Sequence, residues 1–248
     1  MHKAVAIIPA RFNAARFPGK PLALLKGKPI IQHVFERVSD AGLVEEVIVA
    51  TDDKRIFDAV TAAGGRAVMT SGAHACGTDR IAEVARAMEC DIIVNVQGDE
   101  PFIMPGMVDD TVMLLRDDEK ASMSTLAVRI DNRADILSPD VVKVVTDNEG
   151  YALYFSRSPI PYYRDEWKDL GGISFSPRNT AVFKHIGIYG FRKEALMSFT
   201  SAPRCRLEEI EKLEQLRALS CGMKIKVKET VYNTFGIDTI EDLRKAEK

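Results

Sequence analysis

Three cations, Arg11, Arg16 and Lys20, stand close together near the start of the chain. They follow residues 5–8, an apolar run whose length and β-branched content predict a strand buried on both faces. Open α/β sheets bind ligands beyond the carboxyl ends of their parallel strands. Arginine and lysine hold phosphate groups, and three prolines stiffen the segment. The pattern therefore favours a phosphate-binding loop over a merely solvated basic loop.

The two best-known phosphate-binding motifs do not fit this loop. Gly19-Lys20 resembles the end of a Walker A motif, but Ala14 replaces its first glycine and Pro21 its magnesium-binding serine or threonine. No G-x-G-x-x-G follows the first predicted strand, so the fingerprint of nicotinamide- or flavin-binding folds is missing.

Two aspartates are candidate metal ligands. Asp99 follows residues 92–96, a later run with the pattern of a central strand, and Asp238 precedes the last predicted helix. Magnesium prefers one or two carboxylates together with phosphate oxygens, so a carboxylate at a strand end opposite a phosphate loop suits it. The alternative for both residues is an ordinary helix cap.

Arg80 is placed unusually for a cation. It lies in the first turn of a predicted helix that Thr78 is expected to cap, and the helix macrodipole disfavours positive charge there. A bound ligand would explain the position. An exposed arginine that costs a few tenths of a kcal/mol is the simpler alternative.

The pattern changes in the second half of the chain. From about residue 122 to residue 190, strand-like runs and a turn at 147–150 predict an antiparallel insertion packed on the parallel sheet. Residues 165–179 form a long loop of the kind that is commonly functional or mobile. Its tryptophan, Trp167, fits either an interface or a local apolar anchor.

Two further elements present polar residues. In a predicted strand at 184–191, His185 and Tyr189 share one face, which fits a polar floor for a ligand. The alternation of side chains by itself favours a half-exposed edge strand. Residues 206–219 predict one helix that places Glu211 and Gln215 together on a second face. Its expected buried stripe is Leu207, Ile210, Leu213 and Leu216.

Composition narrows the class of protein. The 248 residues suit one α/β domain with an elaboration, or two small domains, and we treat 1–248 as a single domain. The formal net charge of -2 gives no basic field for nucleic acid. No membrane-spanning stretch or signal peptide is predicted, which makes the cytoplasm the expected location. The four cysteines lack zinc or disulfide spacing and are expected to be reduced.

Eight segments, in order over nearly the whole chain, resemble the 3-deoxy-manno-octulosonate (Kdo) cytidylyltransferase family. The first two are shared with other sugar nucleotidyltransferases, whereas the fifth and sixth point to the Kdo branch. The segments are 8–11 (IPAR), 16–22 (RFPGKPL), 77–80 (GTDR), 96–101 (VQGDEP), 154–161 (YFSRSPIP), 185–189 (HIGIY), 213–217 (LEQLR) and 236–239 (GIDT). Cys76 departs from the family, which usually has serine there, so contacts from this position are in doubt.

The resemblance implies a Rossmann-like, mostly parallel sheet flanked by helices, with a smaller antiparallel dimerisation subdomain and a homodimer. It implies magnesium dependence and the reaction of CTP with Kdo to give CMP-Kdo and diphosphate for lipopolysaccharide synthesis. The residues expected to carry catalysis are Lys20, Arg16, Asp99 and Asp238. The nucleotide would be held by Arg11, Arg16, Lys20 and, at the cytosine, Arg80. Magnesium would be held by Asp99 and Asp238. The sugar would be surrounded by Gln97, Arg157, His185, Tyr189, Glu211 and Gln215.

Three alternatives stay open at this point. A cytidylyltransferase for another acidic sugar, such as 8-amino-Kdo or a sialic acid, would differ by only a few contacts. A glycosyltransferase that consumes nucleotide sugars usually shows an Asp-x-Asp metal motif, which residues 99–101 do not offer. A non-catalytic nucleotide-binding protein would not need the complete set of motif residues.

Overall fold

The computed structural model describes residues 2–13, 16–165, 167 and 181–248. Its strands are β1 Ala4–Ala10, β2 Leu24–Leu25, β3 Lys28–Pro29, β4 Glu46–Thr51, β5 Arg66–Met69, β6 Ile92–Asn95, β7 Met123–Arg129, β8 Lys143–Thr146, β9 Ala152–Ser156, β10 Phe183–Arg192 and β11 Ile225–Glu229. Its helices are α1 Ile30–Ser39, α2 Lys54–Ala62, α3 Gly77–Arg86, α4 Pro105–Asp117, α5 Arg133–Leu137, α6 Lys193–Ser201, α7 Arg206–Glu211, α8 Gln215–Ser220 and α9 Ile240–Ala246, with a 3₁₀ turn at Lys20–Leu22.

The first half of the chain builds parallel β-α-β units. Strand β1 pairs in parallel with β4 on one side and β6 on the other, and β5 continues the sheet beyond β4. All seven residues of β1 are buried, because its alternate side chains enter apolar clusters on both faces of the sheet. Helices α1, α2 and α4 cover one face, and α3, α6 and α8 cover the other. The predicted α/β class is confirmed.

The antiparallel strands were predicted to pack on the parallel sheet. They extend it instead, as further strands of the same sheet. Across the described residues the order is β11-β7-β10-β6-β1-β4-β5, and β10 runs antiparallel to both β6 and β7. The β8–β9 hairpin, with its turn at 147–150 as predicted, attaches to the beginning of β10. Strand β10 is therefore central, so the edge-strand interpretation was wrong; side-chain alternation does not reveal which strands are neighbours.

The predicted helix over 206–219 is broken in two. Lys212 adopts a left-handed conformation (φ 55°) between α7 and α8. Leu207 and Ile210 are 44% and 64% exposed, so half of the expected apolar stripe faces outward. The physical reason is Glu208, which α7 turns inward to pair with buried Arg217 at 3.0 Å.

Cys76, not Thr78, caps helix α3. Its sulfur accepts a hydrogen bond from the backbone N–H of Asp79 at 3.4 Å, so the contact made by serine in a typical cap is kept by the thiol. Thr78 lies inside the helix, and its hydroxyl donates to Glu214 at 2.7 Å. All four cysteines are free thiols, as predicted.

Trp167 packs as a local anchor. It is fully buried against Ile130, Ile136 and Val182, which favours the second of its two predicted roles. The rest of the long loop predicted at 165–179 lies, apart from Asp165, outside the described residues. No helix in the described ranges is long and apolar enough to cross a membrane.

A polar contact ties the hairpin to the body of the chain. The Tyr151 hydroxyl donates to Asp118 at 2.6 Å, and Lys226 lies 3.0 Å from the same carboxylate. The hydrogen bond from Tyr151, followed by that from Lys226, lowers the pKa of Asp118 to about 2.

Tyr151→Phe should therefore destabilise the protein in a pH-dependent way. We expect the melting temperature at neutral pH to fall by roughly 3–6 °C. Because the hydroxyl stabilises the carboxylate form, the difference from wild type should be full above about pH 4 and disappear as the pH falls through about 2. Thermal melts across this range test it, and a difference that stays constant at acid pH would contradict it.

Candidate active site

A cavity of about 430 Å³ opens at the carboxyl ends of the parallel strands. It is formed by the loop after β1, the segment between β5 and α3, the loop after β6 and the segment before α9. Its lining is Pro9, Ala10, Arg11, Arg16, Lys20, Pro21, His74, Cys76, Gly77, Arg80, Gln97, Gly98, Asp99 and Asp238. The loop predicted from the first cations thus meets the predicted carboxylates in one place.

Gly98 lets two of these loops approach each other. A Cβ atom at this position would lie 2.8 Å from the carbonyl oxygen of Pro9, closer than real Cβ atoms come. The glycine therefore allows the loop after β6 to pack on the end of β1. As a result Asp99, the next residue, reaches the 3₁₀ turn that begins at Lys20.

Lys20 joins the two predicted metal carboxylates. Its ammonium nitrogen lies 2.5 Å from Asp99 Oδ2 and 3.0 Å from Asp238 Oδ1, and Lys20 is only 8% exposed. Arg16 reaches the other oxygen of Asp238 at 3.1 Å. We call Asp99 and Asp238 the carboxylate pair. Two carboxylates that converge on one cation are also a donor set that suits magnesium.

Asp238 is available for this contact because another residue caps α9. Thr239 and Asp242 form a reciprocal capping box at the start of the helix, so the helix-cap interpretation of Asp238 was wrong. The described residues contain no group of three or more metal-ligating side chains. A magnesium ion held by the carboxylate pair would therefore take its remaining oxygens from water and phosphate groups.

Glu100 is an acidic neighbour of this pair that the sequence analysis did not single out. Burial, and then the adjacent Asp99, raises the pKa of its carboxyl group to about 7. Its Oε2 atom is buried and has no hydrogen-bond partner within the described part of the chain. The sequence offered one signal for Glu100, namely its position directly after Asp99 in the loop that follows a strand.

Arg80 is buried, so the alternative of an exposed arginine was wrong. One guanidinium nitrogen donates to Asp52 at 2.9 Å and another to Thr70 at 2.5 Å. Asp52, which follows β4, supplies the negative charge that stabilises a cation in the first helical turn. Arg80 still lines the cavity, and its contact with a cytosine stays a prediction.

The other nucleotide- and sugar-binding candidates in the cavity are more open. Arg11 is exposed, the side chain of Arg16 is 70% exposed, and Gln97 is half-buried. Each lines the cavity, which is the placement that their predicted roles require.

His185 and Tyr189 lie together but not in the lining of this cavity. Their ring centroids are 5.3 Å apart, and Thr125 Oγ1 lies 3.0 Å from His185 Nε2. Burial lowers the pKa of His185 to about 3, so the ring is neutral near pH 7. Burial, and then Glu214, raises the pKa of the Tyr189 hydroxyl. The shared face predicted for these two residues is confirmed, while sugar binding stays a prediction.

Arg157, Glu211 and Gln215 also lie outside the lining of the first cavity. Arg157 donates to the backbone oxygens of Glu211 and Pro139, each at 2.7 Å. The Glu211 carboxylate accepts from Ser156 Oγ at 2.7 Å and from the Arg157 N–H at 3.0 Å. Because helix α7 ends before Lys212 and α8 begins at Gln215, Glu211 and Gln215 belong to different helices. The prediction that they share one helix face was therefore wrong.

A second cavity, of about 450 Å³, adjoins the first. Cys76 lines both, and the other lining residues are Arg204, Glu208, Glu209, Lys212 and Glu214. Burial, and then Glu214, raises the pKa of the Cys76 thiol, so the wall between the cavities carries no thiolate at neutral pH. Glu214, which stands beside Gln215 in the LEQLR segment, is the residue that sequence reasoning missed here.

Known proteins with similar sequences decide the family. The family model described as cytidylyltransferase matches residues 5–225. A 3-deoxy-manno-octulosonate cytidylyltransferase of Geotalea daltonii is 56% identical over 243 residues, which are 98% of this chain and 96% of that protein. The enzyme of the same name from Geobacter sulfurreducens is 55% identical over 97% of this chain and 96% of its own length. The chain belongs to the Kdo cytidylyltransferase family.

Solved structures agree with this assignment. A CMP:2-keto-3-deoxy-manno-octonic acid synthetase, solved in complex with CTP, matches 99% of this chain and 97% of its own with a TM-score of 0.90 and 43% identity. A 4-diphosphocytidyl-2C-methyl-D-erythritol synthase from Anaerococcus prevotii shares the fold at a TM-score of 0.63 and 16% identity. As a member of the Kdo cytidylyltransferase family, the chain is a nucleotidyltransferase, which excludes a glycosyltransferase or a non-catalytic nucleotide-binding protein.

Proposed function

We propose that this chain transfers CMP from CTP to the anomeric hydroxyl of Kdo and releases diphosphate, with magnesium as its cofactor. The observation that carries the proposal is the convergence of Lys20 on the carboxylate pair beside Arg11 and Arg16. The family relatives, which are named for this reaction, supply the identity of the sugar. A role in lipopolysaccharide synthesis, a cytoplasmic location and a homodimer belong to the same proposal and rest on family membership.

The charge of the cavity suits a nucleoside triphosphate. Its described lining contains four arginine or lysine side chains, Arg11, Arg16, Lys20 and Arg80, and two carboxylates, so the formal local charge is +2. The whole chain, by contrast, has a formal net charge of -2. A cationic cleft in a weakly acidic protein concentrates polyanionic substrates.

The chain's own residues then have distinct tasks. Arg11, Arg16 and Lys20 hold the triphosphate and align its α-phosphorus with the sugar hydroxyl, which attacks while diphosphate leaves. The carboxylate pair would hold magnesium, which would supply neutralising charge at the reacting oxygens and a lower pKa of the hydroxyl. The protein forms no covalent intermediate in this scheme, because positioning and electrostatic stabilisation supply the catalysis.

The direct test is diphosphate release with defined substrates. The protein is mixed with CTP, magnesium and one of three sugars: Kdo, 8-amino-Kdo or a sialic acid. We expect release to depend on the sugar, on magnesium and on CTP, with Kdo as the preferred acceptor. Faster release with another sugar would correct the acceptor, and release no faster than in the sugar-free control would contradict the proposed reaction.

A further inference from the structure

His74 is a cavity residue to which the reaction scheme gives no task. It lies between β5 and α3 and is half-buried in the wall that also contains Arg80. Its Nε2 atom contacts the Oε2 atom of Glu83 on α3. The same carboxylate oxygen accepts the backbone N–H of Ser71 at 3.1 Å, so two contacts hold Glu83 against this segment.

The carboxylate decides which nitrogen of the ring carries the proton. The hydrogen bond from His74, followed by that from Ser71, lowers the pKa of Glu83, so this group is an ionised acceptor at neutral pH. An ionised carboxylate accepts hydrogen bonds only, so Nε2 must be the N–H donor of the pair. In a neutral ring Nδ1 is then an acceptor, and no hydrogen bond joins Nδ1 to any part of the chain that the structure describes.

The neighbouring Arg80 has the opposite chemistry. A guanidinium only donates hydrogen bonds, whereas the Nδ1 atom of a neutral imidazole that is protonated at Nε2 only accepts them. Cytosine offers a donor in its 4-amino group beside ring acceptors, while uracil has an acceptor oxygen at the same carbon. A wall that combines these two side chains therefore matches cytosine and mismatches uracil.

The position in the sheet also suits the base. The segment with His74 leaves the sheet from β5, which is two strands and about 10 Å from β1, where the phosphate-binding loop begins. Asp99 follows β6, on the opposite side of β1 from β5, so the strand order places the carboxylate pair and the His74–Arg80 wall toward different ends of the cavity.

We propose that His74 selects the nucleotide: its Nδ1 atom accepts a hydrogen bond from the 4-amino group of cytosine, and Glu83 is the positioning residue that fixes the ring. This inference rests on the proposed function, because it takes CTP as the nucleotide. It adds a specificity-determining residue that discriminates CTP from UTP.

The test uses nucleotides that differ only at the 4-position. kcat/KM is measured for CTP, UTP and pyrimidin-2-one ribonucleoside triphosphate, which lacks the 4-amino group. We expect His74→Phe to lower the value for CTP by roughly 5- to 100-fold and to leave that for the pyrimidin-2-one analogue nearly unchanged. His74→Asn, which keeps an acceptor oxygen, should retain most of the preference for CTP.

A matched control exists in the same chain. His33 is also half-buried, but its Nε2 atom contacts the Leu25 backbone oxygen at 2.7 Å and the residue does not line the cavity. His33→Phe should leave the three kcat/KM values in their wild-type ratio.

The outcomes separate this inference from the proposed function. If His74→Phe keeps the wild-type ratio of CTP to the analogue, lowers all three values equally, or behaves like His74→Asn, the inference is overturned. If the wild-type protein shows no preference for CTP in calorimetric titrations with the three nucleotides, the result contradicts the proposed function, and with it the inference about His74. Melting curves of all three variants verify that the comparison is made on folded protein.

Discussion

Asp99→Asn should lower kcat by about 10²- to 10³-fold at saturating CTP, Kdo and magnesium. Asp99 forms one side of the carboxylate pair, 2.5 Å from Lys20, and its charge is the part that asparagine removes. The amide has nearly the same shape, so we expect the fold to be unaffected. Steady-state kinetics over a magnesium titration, with circular dichroism as the check on folding, measures the effect.

Asp58→Asn is the matched control for this variant. Asp58 is an exposed helical aspartate that pairs with Lys54 at 2.8 Å on the surface of α2. Its kcat should equal that of wild type. A near-normal kcat for Asp99→Asn at saturating magnesium would rule out a metal ligand at this position.

Lys20→Met should have an effect of similar size, with a second signature in the absence of substrate. Loss of the ammonium group removes a charged donor to the triphosphate, so kcat/KM for CTP should fall by roughly 10²- to 10³-fold. It also leaves the carboxylate pair without the cation that joins it. Two adjacent carboxylates repel each other, so added magnesium should raise the melting temperature of the variant more than that of wild type.

Lys28→Met provides the comparison for the thermal measurement. Lys28 pairs with Glu36 at 2.5 Å, and neither residue lines the cavity. Its melting temperature should respond to magnesium as wild type does. If Lys20→Met responds no more than Lys28→Met, magnesium and the ammonium group do not share the carboxylate pair.

The sequence was informative where a rule of the fold places residues that are far apart in the chain. Ligands bind at the carboxyl ends of parallel strands, so a cationic loop after β1 and an aspartate after β6 had to meet at one edge. The order of strands past β6 obeys no such rule. The alternation of side chains over 184–191 is the same whether the strand lies at an edge or, like β10, in the centre of the sheet.

Local patterns failed where a buried ion pair overrides them. The spacing of apolar residues predicted one helix over 206–219. Instead, α7 directs Glu208 inward to pair with Arg217, and the helix is interrupted at Lys212. Arg80 looked anomalous because its partner Asp52, 28 residues earlier, is not visible in the helix pattern. Buried ion pairs of this kind are specified by three-dimensional contact and not by periodicity.

The contact of Lys20 with Asp238 has a consequence for the order in which parts of the protein fold during synthesis. It joins residues 218 positions apart, so this side of the site cannot form on a growing chain before residue 238 has left the ribosome. The parallel strands from β1 to β6 can pair much earlier, since they need only the first 95 residues. A folding intermediate with that half of the sheet in place would have a cationic loop and Asp99 without the second carboxylate. Because the closure of such a long loop is entropically costly, we expect the complete cation site to be among the last features to form.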